Sequence, residues 1–160
     1  MTERLSLMTA APDLYAPMLA LTKAAKKGID PALVELVQIR ASQLNHCAFC
    51  LDMHTKDARK AGETEERIHL LNAWEEATGY YTDKEQAALA LTEAITHLTD
   101  DFVPDAVYTR AAAHFDDTEL AHLIAVITMM NSWNRLNVAA RTPVGGLLPG
   151  AAAPSRGAAS

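Results

Sequence analysis

The chain has 160 residues and a formal net charge of −6, with 49% hydrophobic and 21% charged residues. This length fits one domain, and this composition is that of a globular protein rather than a disordered one. The acidic charge argues against nucleic acid or an acidic membrane surface as a partner. The sequence has neither an apolar run long enough to span a bilayer nor a signal-peptide pattern at its N-terminus. We therefore expect a cytoplasmic protein that binds neither nucleic acid nor a membrane.

Four helices are predicted in the first half of the chain. They cover residues 12–27, 30–44 and 47–61, and a fourth begins near residue 64. Asp30-Pro31 is typical of a helix start, because Asp caps free N–H groups and Pro fits the first helical position. Gly28 and Gly62 are typical of helix ends, because glycine readily adopts the left-handed conformation found there.

Three further helices are predicted over residues 82–98, 104–114 and 119–140. The first of these opens with a capping box, Thr82-Asp-Lys-Glu85. The sequence has no alternating β-branched run and no Asn-Gly or Asp-Gly hairpin turn. We therefore predict an all-α bundle of six to seven helices in one domain over residues 1–142. A flexible tail rich in Gly, Pro and Ala is predicted over residues 143–160.

Both cysteines of the chain lie in one C-x-x-C motif, Cys47 and Cys50. In a reducing compartment such a pair is most often redox-active or metal-binding. With His54 they occupy positions i, i+3 and i+7, which share one helix face. The start of a helix lowers the pKa of a thiol, and His54, one turn past Cys50, can accept its proton. Glu35 lies on the preceding helix, where an antiparallel return would bring its carboxylate to the thiols.

Three interpretations of the motif remain open on the residues alone. The cysteines can be small core residues, as free cysteine often is. Cys47, Cys50 and His54 can be zinc ligands, although the sequence offers no clear fourth ligand. The spacing and the position at a helix start favour a redox dithiol. A thioredoxin fold is not predicted, because the βαβ pattern around the motif is absent.

The array of Glu35, Ser42, Asn45, Cys47-x-x-Cys50 and His54 resembles the signature of a known family. This is the AhpD-like (alkyl hydroperoxidase D) branch of the carboxymuconolactone decarboxylase family, and the resemblance is specific over roughly residues 31–62. It implies an AhpD-like all-helical bundle and a peroxidase whose cysteines cycle through a disulfide. Glu35 and His54 would form its proton relay. The family prototype has a histidine at the position of Phe49, so any relay through that residue is lost here.

The resemblance implies a thiol-dependent alkyl hydroperoxide reductase. In that scheme a thiolate attacks the hydroperoxide and becomes a sulfenic acid, and the second thiol then closes a disulfide. An external dithiol, such as the lipoyl group of a lipoylated protein, restores the pair. No metal, flavin or nucleotide cofactor is expected, since the sequence has no Gly-rich phosphate loop.

The roles of the two cysteines rest on arguments that disagree. Helix electrostatics favour Cys47 as the attacking residue, because it lies nearest the helix start. The resemblance favours Cys50, and its spacing of four residues from His54 supports that choice. We therefore predict that Cys50 attacks the peroxide and that Cys47 resolves the intermediate.

Two other functions remain as alternatives. One is a redox sensor or binding protein that uses the same dithiol. The other is a decarboxylase or related lactone enzyme, against which the cysteine pair argues, because the decarboxylases that name the family do not depend on it.

A homotrimer or homohexamer is expected, because the family forms both. The helix predicted over residues 119–140 is apolar on more than one side and therefore needs two burial partners, of which another subunit can be one. Its apolar residues are Leu120, Leu123, Ile124, Val126, Ile127, Met129, Met130 and Trp133.

Overall fold

The computed structural model describes residues 4–99 and 101–145, and within them the chain is all-α, as predicted. The helices are α1 (Leu7–Ala10), α2 (Pro12–Ala25), α3 (Pro31–Leu44), α4 (Ala48–Lys60), α5 (Glu65–Leu70), α6 (Asp83–His97), α7 (Asp105–Ala112) and α8 (Asp117–Ala140). A 3₁₀ turn, Leu71–Ala73, continues α5. The described helices number eight rather than the six to seven expected, because the single-turn α1 was not predicted.

Local capping signals set where several helices begin. Asp30 Oδ1 accepts the N–H groups of Ala32 and Leu33 at 2.9 and 3.1 Å and so caps α3. The capping box between Thr82 and Glu85 forms at the start of α6 as predicted. A second capping box, on Asp116, starts α8 two residues earlier than the sequence analysis placed it.

Helix α8 lies at the centre of the fold and packs against α2, α3, α4, α6 and α7. Most of its large apolar side chains are buried within the single chain; Leu123, Ile127 and Met130 are at most 1% exposed, whereas Trp133 is half-buried and Val138 is 46% exposed. Elements of the same chain therefore cover much of the apolar surface of α8. The apolar pattern of this helix does not by itself require a second subunit, and the expected assembly stays a prediction.

The outer surface of α1 and α2 is apolar. Five side chains there are 47–59% exposed, namely Leu5, Met8, Leu14, Leu19 and Leu21. We call this set the α1–α2 patch. Tyr15 packs edge-on against Trp133 and Met18 is half-buried, so α2 contacts α8 on one side, while the leucines of α2 in this patch remain about half exposed.

The last described residues lie beside α4, where the Gly145 N–H donates to Asp52 Oδ2 at 3.3 Å. Of the predicted tail, residues 146–160 lie outside the described residues. Over the part of the chain that the structure describes, no helix is both long and apolar enough to cross a membrane.

Candidate active site

The dithiol lies at the turn between α3 and α4. The chain reverses through Asn45 and His46, and His46 adopts a left-handed conformation with φ of 53°. Cys47 is the N-cap of α4 rather than its first helical residue, and its Sγ accepts the N–H of Cys50 at 3.3 Å. A disulfide joins Cys47 to Cys50, whose residues are 1% and 0% exposed. The two sulfurs are thus placed for reversible bond formation at a helix start.

Glu35 and His54 form a buried pair beside the dithiol. His54 Nδ1 lies 2.8 Å from Glu35 Oε2, and the two residues are 4% and 8% exposed. A carboxylate can only accept, so Nδ1 is the nitrogen that donates to Glu35, and this bond leaves Nε2 unused. The antiparallel arrangement of α3 and α4 brings Glu35 to the thiol-bearing helix through His54, not to a sulfur directly.

Helix α2 contributes a cation to this pair. Lys26, the C-cap of α2, places Nζ 3.5 Å from Glu35 Oε1. The two carboxylate oxygens of Glu35 therefore have different partners, His54 on one and Lys26 on the other. A buried carboxylate is costly unless it is paired, and Lys26 supplies that compensation.

A polar network locks the end of α3 to α8. Asn134 Nδ2 donates to Ser42 Oγ at 3.1 Å, and Asn45 Nδ2 lies 2.9 Å from Asn131 Oδ1 and 3.1 Å from Asn134 Oδ1. Ser42 and Asn134 are completely buried. These bonds fix the turn that carries Cys47, which gives Ser42 and Asn45 a structural role in the motif.

Asn137 is a site residue that the sequence analysis missed. It lies in the last turn of α8, with Nδ2 3.8 Å from Cys50 Sγ and 2.9 Å from the Trp133 carbonyl oxygen. The contact joins residues separated by 87 positions in the sequence. No motif near the cysteines signals it, because only the packing of α8 against α4 brings the two together.

Apolar side chains surround the rest of the disulfide. Ala41 and Met130 are buried against it, and Phe49 and Trp133 are half-buried at its edge. Trp133 also donates from Nε1 to Thr22 Oγ1 at 2.8 Å, which ties α8 to α2. A substrate that reaches the sulfurs past Phe49 and Trp133 would therefore meet an apolar surface.

One group of side chains has the composition of a metal site. Ligand atoms of Glu35, His54 and Asp57 lie within 4.8 Å of one another. The two carboxylates already have cationic partners, Lys26 for Glu35 and Lys60 for Asp57, the latter at 2.7 Å. Both carboxylates of the group are therefore paired with cations of the chain itself.

An all-α bundle with a C-x-x-C motif at a helix start and a buried Glu–His pair behind it defines a dithiol protein of the AhpD type. The model of the carboxymuconolactone decarboxylase family matches residues 12–94. The uncharacterized protein YdfG of Bacillus subtilis is 44% identical over 140 residues, which cover 87% of this chain and 95% of YdfG. The chain belongs to the carboxymuconolactone decarboxylase family, and within it to the AhpD-like branch.

Solved structures share this fold. A protein of unknown function from Agrobacterium tumefaciens, proposed to be the antioxidant defence protein AhpD, superposes with a TM-score of 0.86 at 33% identity. The match covers 89% of this chain and 98% of that one. The debrominase Bmp8 superposes with a TM-score of 0.76 at 19% identity, over 87% of this chain and 75% of Bmp8, which shows the common fold alone.

Proposed function

We propose that the protein is a thiol-dependent peroxidase that reduces organic hydroperoxides through the Cys47–Cys50 pair. The observation that carries the proposal is the buried bond between Glu35 and His54 next to a dithiol at the start of α4. A peroxidatic thiol needs a group to accept its proton and a second thiol to trap the sulfenic acid. In this proposal His54 is the proton acceptor and Cys47 is the second thiol.

The first half of the proposed cycle consumes the peroxide. His54 Nε2 accepts the Cys50 proton, and the thiolate attacks one oxygen of the O–O bond. The O–O bond breaks, the proton on His54 passes to the departing alkoxide, and an alcohol leaves. Cys50 is now a sulfenic acid.

The second half forms and then reduces the disulfide. Cys47 attacks the Cys50 sulfur, and the hydroxyl leaves as water. The result is the disulfide present in this structure. An external dithiol, such as a reduced lipoyl group, then exchanges with the disulfide and supplies the two electrons.

The decisive experiment follows hydroperoxide consumption with cumene hydroperoxide and dihydrolipoamide in excess. The wild type is expected to turn over many times, and Cys50→Ser is expected to be inactive. Ser132→Ala, an exposed change on α8, serves as the control and should retain activity.

Two outcomes would contradict the proposal. Oxidation of one dithiol per chain without turnover would instead indicate a redox sensor. Decarboxylation of a carboxymuconolactone that persists in Cys50→Ser would indicate the lactone chemistry after which the family is named.

A further inference from the structure

We propose that Asn137 is a catalytic residue of the dithiol site, because its side-chain N–H stabilises negative charge on the Cys50 sulfur. The inference deepens the proposed function. It rests on that function in one respect, that the Cys47–Cys50 pair alternates between dithiol and disulfide. A residue at the end of α8 thereby takes part in the chemistry of the disulfide at the start of α4.

The orientation of the Asn137 amide follows from its second partner. The atom 2.9 Å from the Trp133 carbonyl oxygen must be the donor nitrogen, because two oxygens would repel each other there. Nδ2 carries two hydrogens. One is used by Trp133, and the other points to Cys50 Sγ at 3.8 Å.

Two other donors near the disulfide already have partners. The Cys50 N–H at the start of α4 donates to Cys47 Sγ, not to its own sulfur. The protonated nitrogen of His54 donates to Glu35. Cys50 is completely buried, so a thiolate there cannot be stabilised by bulk water. In the disulfide form, Asn137 is the side chain among the described residues that donates to this sulfur, and in the thiolate form it would act beside His54, which then holds the Cys50 proton.

The contact also selects which sulfur leaves when the disulfide is reduced. A reductant thiolate attacks Cys47 Sγ, a new S–S bond forms there, and the bond between Cys47 and Cys50 breaks. Its electron pair stays on Cys50 Sγ, where the Asn137 N–H stabilises it. Because a more stable thiolate is the better leaving group, Asn137 favours attack at Cys47. The second thiol of the reductant then releases Cys47 and becomes the oxidised product.

The test uses the Cys47→Ser protein, in which Cys50 is the remaining thiol, and measures its alkylation by iodoacetamide as a function of pH. Adding Asn137→Ala should move the midpoint of the profile upward by about one pH unit, since a hydrogen bond to a charged group is lost. Adding Asn137→Asp, which keeps the side-chain shape, should move it further, because a carboxylate repels the thiolate. Circular dichroism checks that each variant is folded.

Ser132→Ala is the matched control. Like Asn137, Ser132 bonds the carbonyl four residues earlier on α8, with Oγ 3.1 Å from the Thr128 oxygen, but Ser132 does not contact the disulfide. Its midpoint should not move. An unchanged midpoint in folded Asn137→Asp, or an equal shift in Ser132→Ala, would overturn the proposal. The assay contains no peroxide, so its result is independent of whether the wild type proves to be a peroxidase.

Discussion

His54 Nδ1 lies 2.8 Å from Glu35 Oε2, and this bond links the helix that carries the dithiol to the helix before it. Both side chains are buried. Since α3 and α4 run in opposite directions from the Asn45–His46 turn, residues at similar distances from the turn meet across the two helices. The position of Glu35 early in α3 is therefore what fixes the imidazole of a residue well inside α4.

Glu35→Gln is expected to lower peroxide turnover by about 10²-fold or more, the scale of general acid–base catalysis, without unfolding the bundle. The amide keeps the size of the side chain but lacks the negative charge that stabilises a protonated His54. Steady-state peroxide consumption measures the effect, and circular dichroism verifies the fold.

The control for this prediction is Asp57→Asn. Asp57 belongs to the same cluster as Glu35 and His54, but its carboxylate is paired with Lys60. Removing this nearby charge should change turnover much less than Glu35→Gln does. If both variants lose activity equally, the charge of the cluster matters and the specific Glu35–His54 bond does not.

Lys26→Met is expected to destabilise the protein by roughly 1 kcal/mol, because it removes the cation beside the buried Glu35 carboxylate. The value lies well below that of a fully buried pair, since the Lys26 side chain is 35% exposed. Urea denaturation of the single and double variants measures it. In a Glu35→Gln background the cost of Lys26→Met should fall toward zero. Additive costs would show that Lys26 acts independently of Glu35.

Acid should weaken the contact between α5 and α6. Burial alone would raise the pKa of Glu85, but hydrogen bonds from Arg67 and Thr82 outweigh it and lower the pKa below its ordinary value of 4.5. The folded state therefore binds this proton less readily than the unfolded chain. The stabilisation is present above pH 4.5 and is lost as the pH falls below it.

Glu85→Gln tests this prediction. The free energy of unfolding of the wild type should fall more between pH 7 and pH 4 than that of the variant, as measured by urea titration at each pH. Glu66→Gln is the control, because the Glu66 carboxylate accepts from Tyr80 at an exposed position. Its free energy of unfolding should change with pH as that of the wild type does. A Glu85→Gln protein with the pH dependence of the wild type would assign the acid sensitivity to other carboxyl groups.

The sequence predicted those features that depend on neighbouring residues. Asp30-Pro31 and the Thr82 capping box gave helix starts, and the C-x-x-C spacing placed the dithiol at the beginning of a helix. Contacts between distant segments were not predictable, such as Asn137 with Cys50, because they depend on how α8 packs against α4.

The apolar pattern of α8 has the same limit. The periodicity of apolar residues shows how many sides of a helix must be buried, but not which elements of the fold bury them. Here α2, α3 and α6 cover α8 within one chain. In α2, conversely, Leu14 and Leu21 stand at helical spacing and yet are both about half exposed.

We propose that a second copy of the chain covers the α1–α2 patch in a homotrimer or homohexamer. Leu14→Glu, which places a charge in the patch, should shift the protein toward the 17.3 kDa monomer in light scattering at micromolar concentration. Val138→Glu is the control, because Val138 is similarly exposed, at 46%, but lies on α8. A wild-type particle of 17.3 kDa would contradict the proposal.

The last prediction concerns the roles of the two cysteines. Each sulfur accepts a hydrogen bond in the structure. Cys47 Sγ accepts the Cys50 N–H at the start of α4. The dipole of a helix stabilises a negative charge at this end by typically about 0.3–1 kcal/mol at exposed sites. Cys50 Sγ accepts from Asn137 and lies one turn before His54, which can take its proton. A nucleophile needs both charge stabilisation and a proton acceptor, and Cys50 has the two together.

Cys47→Ser and Cys50→Ser are therefore treated separately with peroxide and a sulfenic-acid trap. The Cys47→Ser protein should keep its fold, because serine is a good N-cap for α4, and mass spectrometry should find the trapped adduct on Cys50. The Cys50→Ser protein should give little adduct on Cys47. An adduct found only on Cys47 would exchange the two roles, since the cysteine that forms the sulfenic acid is the one that attacks the peroxide.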